Sequence, residues 1–370
     1  MIRLPRLSRR RALGLAAMLA MPAVARAAMP PITDAIGRTV RLRAPAERIV
    51  LAFNFEEFTA IGGPAGWDRV VGYPKSWWAD NRTAAFPRYA AAIPRLNALP
   101  DVGNMETSSF SLEKVLSLRP DLVIFPDVWM PTYKDQMAQL EQLGIPVLVI
   151  DYNAQIPQRH IASVLAVGAA IGADARAREL ATLYETRLAD IQGRAARATR
   201  RPKVYIELGQ GGADVIGNTY WKGMWGRMLD LIGADNIAAN RIAGAWGPLS
   251  PEYVLAANPD VVFIAGSSWV NRPNAVLTGF DADPATTRAR LAPYANRKGW
   301  GELTAIRAGE LHAIEHGLCR SLFDYTALYY VAKQLYPEAF ADIDPVAELR
   351  AYHDRFLPVR FQGTWMARLT

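Results

Sequence analysis

Two stretches of this 370-residue chain are built on one pattern. Residues 111–125 read Ser-Leu-Glu-Lys-Val-Leu-Ser-Leu-Arg-Pro-Asp-Leu-Val-Ile-Phe, and residues 250–264 read Ser-Pro-Glu-Tyr-Val-Leu-Ala-Ala-Asn-Pro-Asp-Val-Val-Phe-Ile. Seven positions coincide in register: Ser111/Ser250, Glu113/Glu252, Val115/Val254, Leu116/Leu255, Pro120/Pro259, Asp121/Asp260 and Val123/Val262. In each copy a serine caps a short helix carrying an apolar pair, a proline stops it, and Pro-Asp leads into a β-branched run suited to a buried strand. A chain that writes this unit twice is expected to fold as two similar lobes. Each copy also sets one carboxylate, Glu113 or Glu252, in the first turn of its helix, where the helix dipole favours negative charge. Two matched acidic positions, one per lobe, point to a symmetric docking partner rather than to a single active site.

Residues 1–27 read as an export leader. Ser8-Arg9-Arg10-Arg11-Ala12-Leu13 precedes an apolar run over 14–24 and a small-residue cleavage site, Ala25-Arg26-Ala27. The paired arginines favour the twin-arginine route, and the run is short of the roughly 20 residues needed to span a bilayer. The leader also distorts the charge balance. The whole chain has 42 basic and 35 acidic residues, but six of the arginines lie in the leader, which leaves 36 against 35. A mature chain this close to neutrality gives no support to nucleic-acid binding. The single cysteine, Cys319, rules out an internal disulfide and lies far from the leader, so no lipid anchor is expected at the mature N-terminus. The reading is a soluble, monomeric periplasmic protein with no membrane anchor.

The rest alternates strands and helices, the signature of mostly parallel sheets with helical crossovers. A hairpin is expected over 33–42 and strands over 48–52, 70–72, 122–125, 146–150, 203–208, 261–265 and 311–314. Helices are expected over 54–61, 133–143, 223–232 and 321–335, with one more after Pro345. Residues 73–94 read as a long aromatic loop. Apolar residues from Val164 to Ile191 recur at helical spacing, and nothing interrupts residues 174–198. Such a helix would reach roughly 37 Å, about a domain's width, and reads as a strut between lobes. The fold class is therefore α/β, two lobes, each a mostly parallel sheet flanked by helices, joined by one long connecting helix. The expected division is a leader at 1–27, an N-terminal lobe at 28–157, a connecting region at 158–200, a C-terminal lobe at 201–345, and a C-terminal helix with an aromatic tail at 346–370.

These motifs, with Asp34-Ala-Ile-Gly-Arg-Thr-Val, Glu47-Arg-Ile-Val, Leu143-Gly-Ile-Pro-Val and Leu231-Ile-Gly-Ala-Asp-Asn-Ile, resemble the class III periplasmic substrate-binding proteins of ABC importers that serve ferric siderophores, cobalamin and haem. The resemblance covers almost the whole mature chain and is specific to the superfamily, not to a ligand. It implies that Glu113 and Glu252 dock into arginine pockets on a dimeric inner-membrane permease, and that a small-molecule cargo binds in a cleft between the lobes. A carboxylate at an exposed helix start suits bidentate pairing with a guanidinium; the plainer reading is that each only complements its helix dipole. The expected cleft residues are Phe53, Asn54, Tyr73, Trp77, Trp78, Trp129, Tyr220, Trp246, Trp269, His316 and Arg320. Rings of this kind can pack a flat or catecholate-bearing chelate, and an arginine can bind its anionic groups. Trp129 and Trp269 follow the two repeat strands at nearly equivalent places and are expected to face each other across the cleft.

The expected cargo is a metal chelate, a ferric siderophore first, with cobalamin, haem or an oxyanion such as molybdate as alternatives. No resident cofactor and no metal held by the protein alone are expected. His312 and His316 are four apart, but on a strand they diverge and make no metal pair. Gly209-Gln-Gly-Gly212 lacks the spacing of a dinucleotide loop, and no nucleophile elbow or P-loop occurs. Catalysis is therefore not expected. Two other classes share some features: an exported oxidoreductase with an unrecognised cofactor, and a two-lobed adhesin or sensor domain.

Overall fold

The computed structural model describes residues 29–370; the expected leader lies outside them. An antiparallel pair, β1 (Ile32–Thr33) and β2 (Thr39–Val40), opens the described chain. Its turn is tied by the Asp34 carboxylate, which accepts from the Ile36 and Arg38 amides and from Arg38 Nε. Four parallel strands follow: β3 (Ile49–Leu51), β4 (Val70–Gly72), β5 (Leu122–Pro126) and β6 (Val147–Ile150), in the order β4-β3-β5-β6. β3, β5 and β6 are buried along their whole lengths, which is why they read as continuous apolar runs rather than as alternating ones.

The C-terminal lobe repeats this plan. β7 (Lys203–Leu208), β9 (Asp235–Asn236), β11 (Val261–Gly266) and β12 (Leu311–Glu315) pair in the order β9-β7-β11-β12, all parallel. The two orders correspond strand for strand, with repeat strands β5 and β11 in equivalent central places. The second sheet gains an antiparallel edge strand, β13 (Met366–Arg368), which the sequence reading did not foresee. A small ribbon of β8 (Thr219–Tyr220) and β10 (Trp246–Gly247) stands beside it.

The repeated residues have matching jobs. Ser111 Oγ accepts from the Lys114 amide and Ser250 Oγ from the Tyr253 amide, each at 3.2 Å, capping helices Leu112–Ser117 and Pro251–Ala257. Val115 and Val254 face the cores. Each Pro-Asp carboxylate then clips the foot of the neighbouring strand: Asp121 accepts from the Glu47 and Arg48 amides at 2.9 Å, and Asp260 from the Lys203 amide at 2.8 Å. The duplication is therefore a duplication of capping and strand-start chemistry.

Helix Pro157–Ile171 ends at Gly172, whose φ of 73° only a residue free of Cβ crowding adopts readily, and Asp174–Ala195 follows. At 22 residues this strut runs about 33 Å; residues 196–198, expected to continue it, leave the helix. Its apolar face, including Leu180, Tyr184, Leu188 and Ile191, packs on helices Pro157–Ile171 and Phe55–Gly66 of one lobe and on Tyr325–Leu335 of the other. A single apolar core consequently runs from the first sheet through the strut to Phe323, Leu328 and Tyr352, and a second fills the outer face of the other sheet around Val262, Ile264 and Trp300. A hinge with a continuous core resists wide opening.

Residues 73–94 differ from their reading as a loop. They form helices Lys75–Asn81 and Phe86–Ala92, leading to Arg95–Ala98. Prolines 74, 87 and 94 each sit at or near a helix start, where a missing N–H does no harm, so the punctuation that suggests a loop delimits short helices instead. The helix expected over 321–335 begins only at Tyr325, after a 3₁₀ turn, His316–Arg320. No helix among the described residues is long and apolar enough to cross a membrane.

Candidate functional site

Because the strands of each sheet are parallel, their carboxyl ends share one edge, the usual place for a ligand in open α/β sheets. Here the edges meet. Phe53 and Asn54 follow β3, Ser267 and Ser268 follow β11, and Gly317, Arg320 and Ser321 follow β12. These residues, with the helices after β3 and β4, line two small cavities of about 30 and 20 Å³ that share Glu56, Arg82 and Gly317. A single water needs roughly 10–15 Å³ of such space. The lobes are thus closed upon each other, with room for only a few waters between them.

Arg320 is half-buried, and its guanidinium lies 5.9 Å from the Phe53 ring centre and 5.7 Å from that of Trp77. Among the described residues no carboxylate pairs with it. Burial, followed by the nearby charge of Arg82, pulls its pKa below the usual arginine range. Arg82 crosses from the other lobe and is held differently: Nη1 donates to Glu315 Oε1 at 2.5 Å. Burial opposes its charge, but Glu315 and Glu56 outweigh that and raise its pKa. Glu315 is anchored in its own lobe as well, accepting from Ser267 Oγ at 2.9 Å, Thr278 Oγ1 at 2.6 Å and the Gly317 amide at 3.2 Å. Glu56 has its pKa raised by burial, against the pull of Arg82. Glu57, raised to about 7 by burial and then by Glu56, accepts from Asn54 Nδ2 and the Leu322 amide.

Of the residues anticipated from sequence, Phe53, Asn54, Trp77, Trp78 and Arg320 come together around the first cavity. Asn54 is buried with φ 57°, a left-handed conformation that asparagine tolerates better than most residues. Trp77 presents a buried indole N–H with no acceptor among the described residues. Trp78 shows only an edge, since its ring stacks on Phe55 at 4.8 Å and on Trp67 at 6.0 Å. Tyr73 is a core residue: it is fully buried among Phe55, Trp67 and Trp78, its hydroxyl donating to the Leu96 carbonyl at 2.9 Å, and it does not line the cavity.

Tyr220 and Trp269 cluster around His316, at 5.8 and 6.1 Å between ring centres, and none of the three lines either cavity. His316 Nδ1 accepts from Trp225 Nε1 at 3.3 Å, and burial drops its pKa well below the ordinary value, so the ring is neutral. Trp129 and Trp269, anticipated to face each other across the cleft, line neither of the two cavities. After β5 the chain enters a 3₁₀ turn, Asp127–Trp129, and helix Met130–Gln142, which return Trp129 to its own lobe's core; no such turn follows β11. Trp246 is half exposed on the β8–β10 ribbon, away from both cavities. His312, within β12, is bound to Tyr330 and Glu310, whereas His316 lies beyond the strand in the 3₁₀ turn and is bound to Trp225. Among the described residues no three histidine, cysteine or acidic side chains gather to hold a metal.

Glu56, Arg82 and Glu315 are absent from the sequence-based set. Arg82 lies in no motif, and only the meeting of the lobes gives it a role. Glu315 did leave a signal: like Glu207, it is a carboxylate near the end of a mostly apolar strand run. Glu207 is answered by Arg297 through two bonds of 2.6 and 2.8 Å. Glu113 and Glu252 are both exposed in the first turns of the equivalent helices.

Two like-built lobes on a shared strut, with the strand ends closing over an aromatic and charged cleft, define a two-lobed solute-binding protein. Residues 61–314 match the Periplasmic binding protein family, and the chain belongs to that family, in its class III, TroA-like form. It is 33% identical to the TroA-like periplasmic binding protein FepB from Veillonella parvula, whose crystal structure superimposes with a TM-score of 0.86 over 92% of this chain and 99% of that one. It is 26% identical over 323 residues to YvrC, an uncharacterized ABC transporter substrate-binding lipoprotein of Bacillus subtilis, covering 84% of this chain and 87% of that protein. MolA, a molybdate periplasmic binding protein of Haemophilus influenzae, shares the fold at 19% identity, with a TM-score of 0.64 over 90% of this chain and 99% of that one.

Proposed function

We propose that this protein is the solute-binding component of an ABC importer, exported to the periplasm by a twin-arginine leader, and that it captures an anionic metal chelate, a ferric siderophore in the first instance, between its lobes. The observation that carries this reading is Arg320, a half-buried cation over two aromatic rings with no carboxylate of its own. A desolvated guanidinium without an anion is costly, and a chelate with carboxylate or catecholate oxygens supplies one. Phe53, Trp77, Tyr220 and Trp269 provide ring faces for its flat parts, and the unpaired Trp77 N–H a further donor. Glu113 and Glu252 dock the loaded protein on the two permease subunits. The family and the description of YvrC as an ABC transporter substrate-binding protein support the transport role. Delivery requires affinity and release, not bond-making.

Haem is the second reading. Its specific support is His316, neutral through burial and flanked by Tyr220, a side chain of the kind that ligates haem iron. Calorimetric titration against ferric catecholate, hydroxamate and carboxylate siderophores, haemin, cobalamin and molybdate, with wild type and Arg320→Gln, separates the readings. A siderophore that binds one to one and weakens at least about tenfold in Arg320→Gln is the expected result. Haemin binding alone, abolished by His316→Ala, favours the second reading, and silence across the panel refutes both.

A further inference from the structure

Among the described residues, Arg82, which lines both cavities, pairs across the lobes with Glu315, which lines the second. We propose that Glu315 stands in for the cargo's anionic group: in the closed, empty molecule it occupies the Arg82 guanidinium, and cargo binds by taking Arg82 from it as the segment 80–88 lifts. This rests on the anionic-chelate reading above.

Four observations support it. First, one short stretch of the N-terminal lobe makes a row of bonds across the cleft. The Val270 amide donates to the Asp80 carbonyl at 3.1 Å, Thr83 Oγ1 donates to the Ser268 carbonyl at 2.9 Å, the Ala84 amide donates to Ser268 Oγ at 3.3 Å, and Arg88 pairs with Asp281 at 2.6 Å. Arg82 sits in the middle of this strap and lines both cavities. Since cavities of about 30 and 20 Å³ cannot admit a chelate, the strap must lift for cargo to enter.

Second, the pair is buried, with side-chain exposures of 14% and 3%, whereas the strap's other ion pair, Arg88 with Asp281, is far more exposed. Third, the seat is shaped for Arg82. A Cβ built on Gly317 would overlap its guanidinium, so glycine is what allows the approach. Fourth, the displacement leaves no orphan on the C-terminal side. With Arg82 gone, Glu315 keeps the Ser267, Thr278 and Gly317 donors, so its charge stays solvated by fixed dipoles. Arg82, in contrast, has no other hydrogen-bond acceptor among the described residues. It lies close enough to Arg320 for each charge to be felt by the other. Freed from Glu315, the two guanidiniums make a paired anion seat, which selects cargo with two anionic groups over a neutral or singly charged chelate.

The test needs no cargo in its first half. Lys134 and Ala289 are exposed on helices Met130–Gln142 and Pro284–Ala295, one in each lobe, and the native Cys319 is fully buried. Nitroxide labels on Lys134→Cys and Ala289→Cys therefore report the spacing of the lobes by pulsed electron resonance. The expected result is one short distance in the empty protein and an added longer population in both Glu315→Gln and Arg82→Gln, with unchanged melting cooperativity as the folding control. In the second half, the ferric chelate that binds wild type should associate with Glu315→Gln at least about tenfold faster, while Arg82→Gln loses at least about tenfold in affinity. Distances unchanged in both variants overturn the proposal, as does undiminished affinity in Arg82→Gln. If no chelate binds wild type, the transport reading fails on that result, and the label distances still decide whether Arg82 and Glu315 hold the lobes shut.

Discussion

Replacing Asp324 with asparagine should remove an alkaline loss of stability that the wild type shows. Asp324 begins helix Tyr325–Leu335 at the junction of the lobes, fully buried, with neither carboxylate oxygen hydrogen-bonded among the described residues and His160 Nδ1 3.5 Å away. Burial pushes its pKa up to about 8, and burial with the charge of Glu56 pushes Glu57 up to about 7. An acid whose pKa is higher in the folded than in the unfolded chain binds more protons when folded, so its stability contribution is lost as pH rises through the folded value. The histidines act oppositely. Burial lowers His160 and His353 to about 4, His316 well below its ordinary value and His312 by less, so stability falls as pH drops below the ordinary histidine range. Stability should therefore peak near pH 6.5. Above that the unfolded histidines lose their remaining protons and their contribution levels off, while between pH 7 and 8 the ionisation of Asp324 costs about 1 kcal/mol, since one proton is worth about 1.4 kcal/mol per pH unit. Guanidinium chloride unfolding at half-unit steps from pH 5 to 9 measures this. Asp324→Asn should flatten the limb above pH 7. A wild type whose stability stays level or rises from pH 7 to 8.5, or an equal loss in the asparagine variant, refutes the reasoning.

Two further outcomes follow from particular contacts. Arg297→Met should destabilise by about 3–5 kcal/mol in denaturant titration, because Glu207 would remain buried without a cation, held only by the Tyr205 hydroxyl and the Gly217 amide, whereas Arg297→Met combined with Glu207→Gln should recover most of that loss. Glu113→Ala and Glu252→Ala should leave both the melting temperature and cargo affinity unchanged, while uptake through the intact importer falls in each and falls furthest in the double variant; full uptake in the double variant removes the docking role.

What the sequence made legible was local chemistry repeated. The serine caps, proline stops and β-branched runs at 111–125 and 250–264 each act within a few residues, so the helices, the strands and their pairing into two lobes could be read without tertiary information. The Asp121 and Asp260 clips were visible as repeats but not as strand locks, because their partners lie across the chain. The segment 73–94 was misread for a physical reason: its helices of seven residues are too short to show periodicity, and three prolines imitate loop punctuation. β13 escaped because three residues on a sheet edge carry no pattern of their own. In the cleft, Phe53, Trp77 and Arg320 were foreseeable from their places after strands. Tyr73 stands at such a place too, yet turns into the core. Arg82 owes its importance to Glu315, 233 positions away, and no local signal marks such a pair.

Where cargo sits decides whether this cleft is the binding site. A crystal structure of the protein with the siderophore selected by titration should show the chelate between Phe53 and Trp77 on one side and Tyr220 and Trp269 on the other, its anionic oxygens on Arg320. A chelate bound on an outer face, with this cleft still shut, would contradict it.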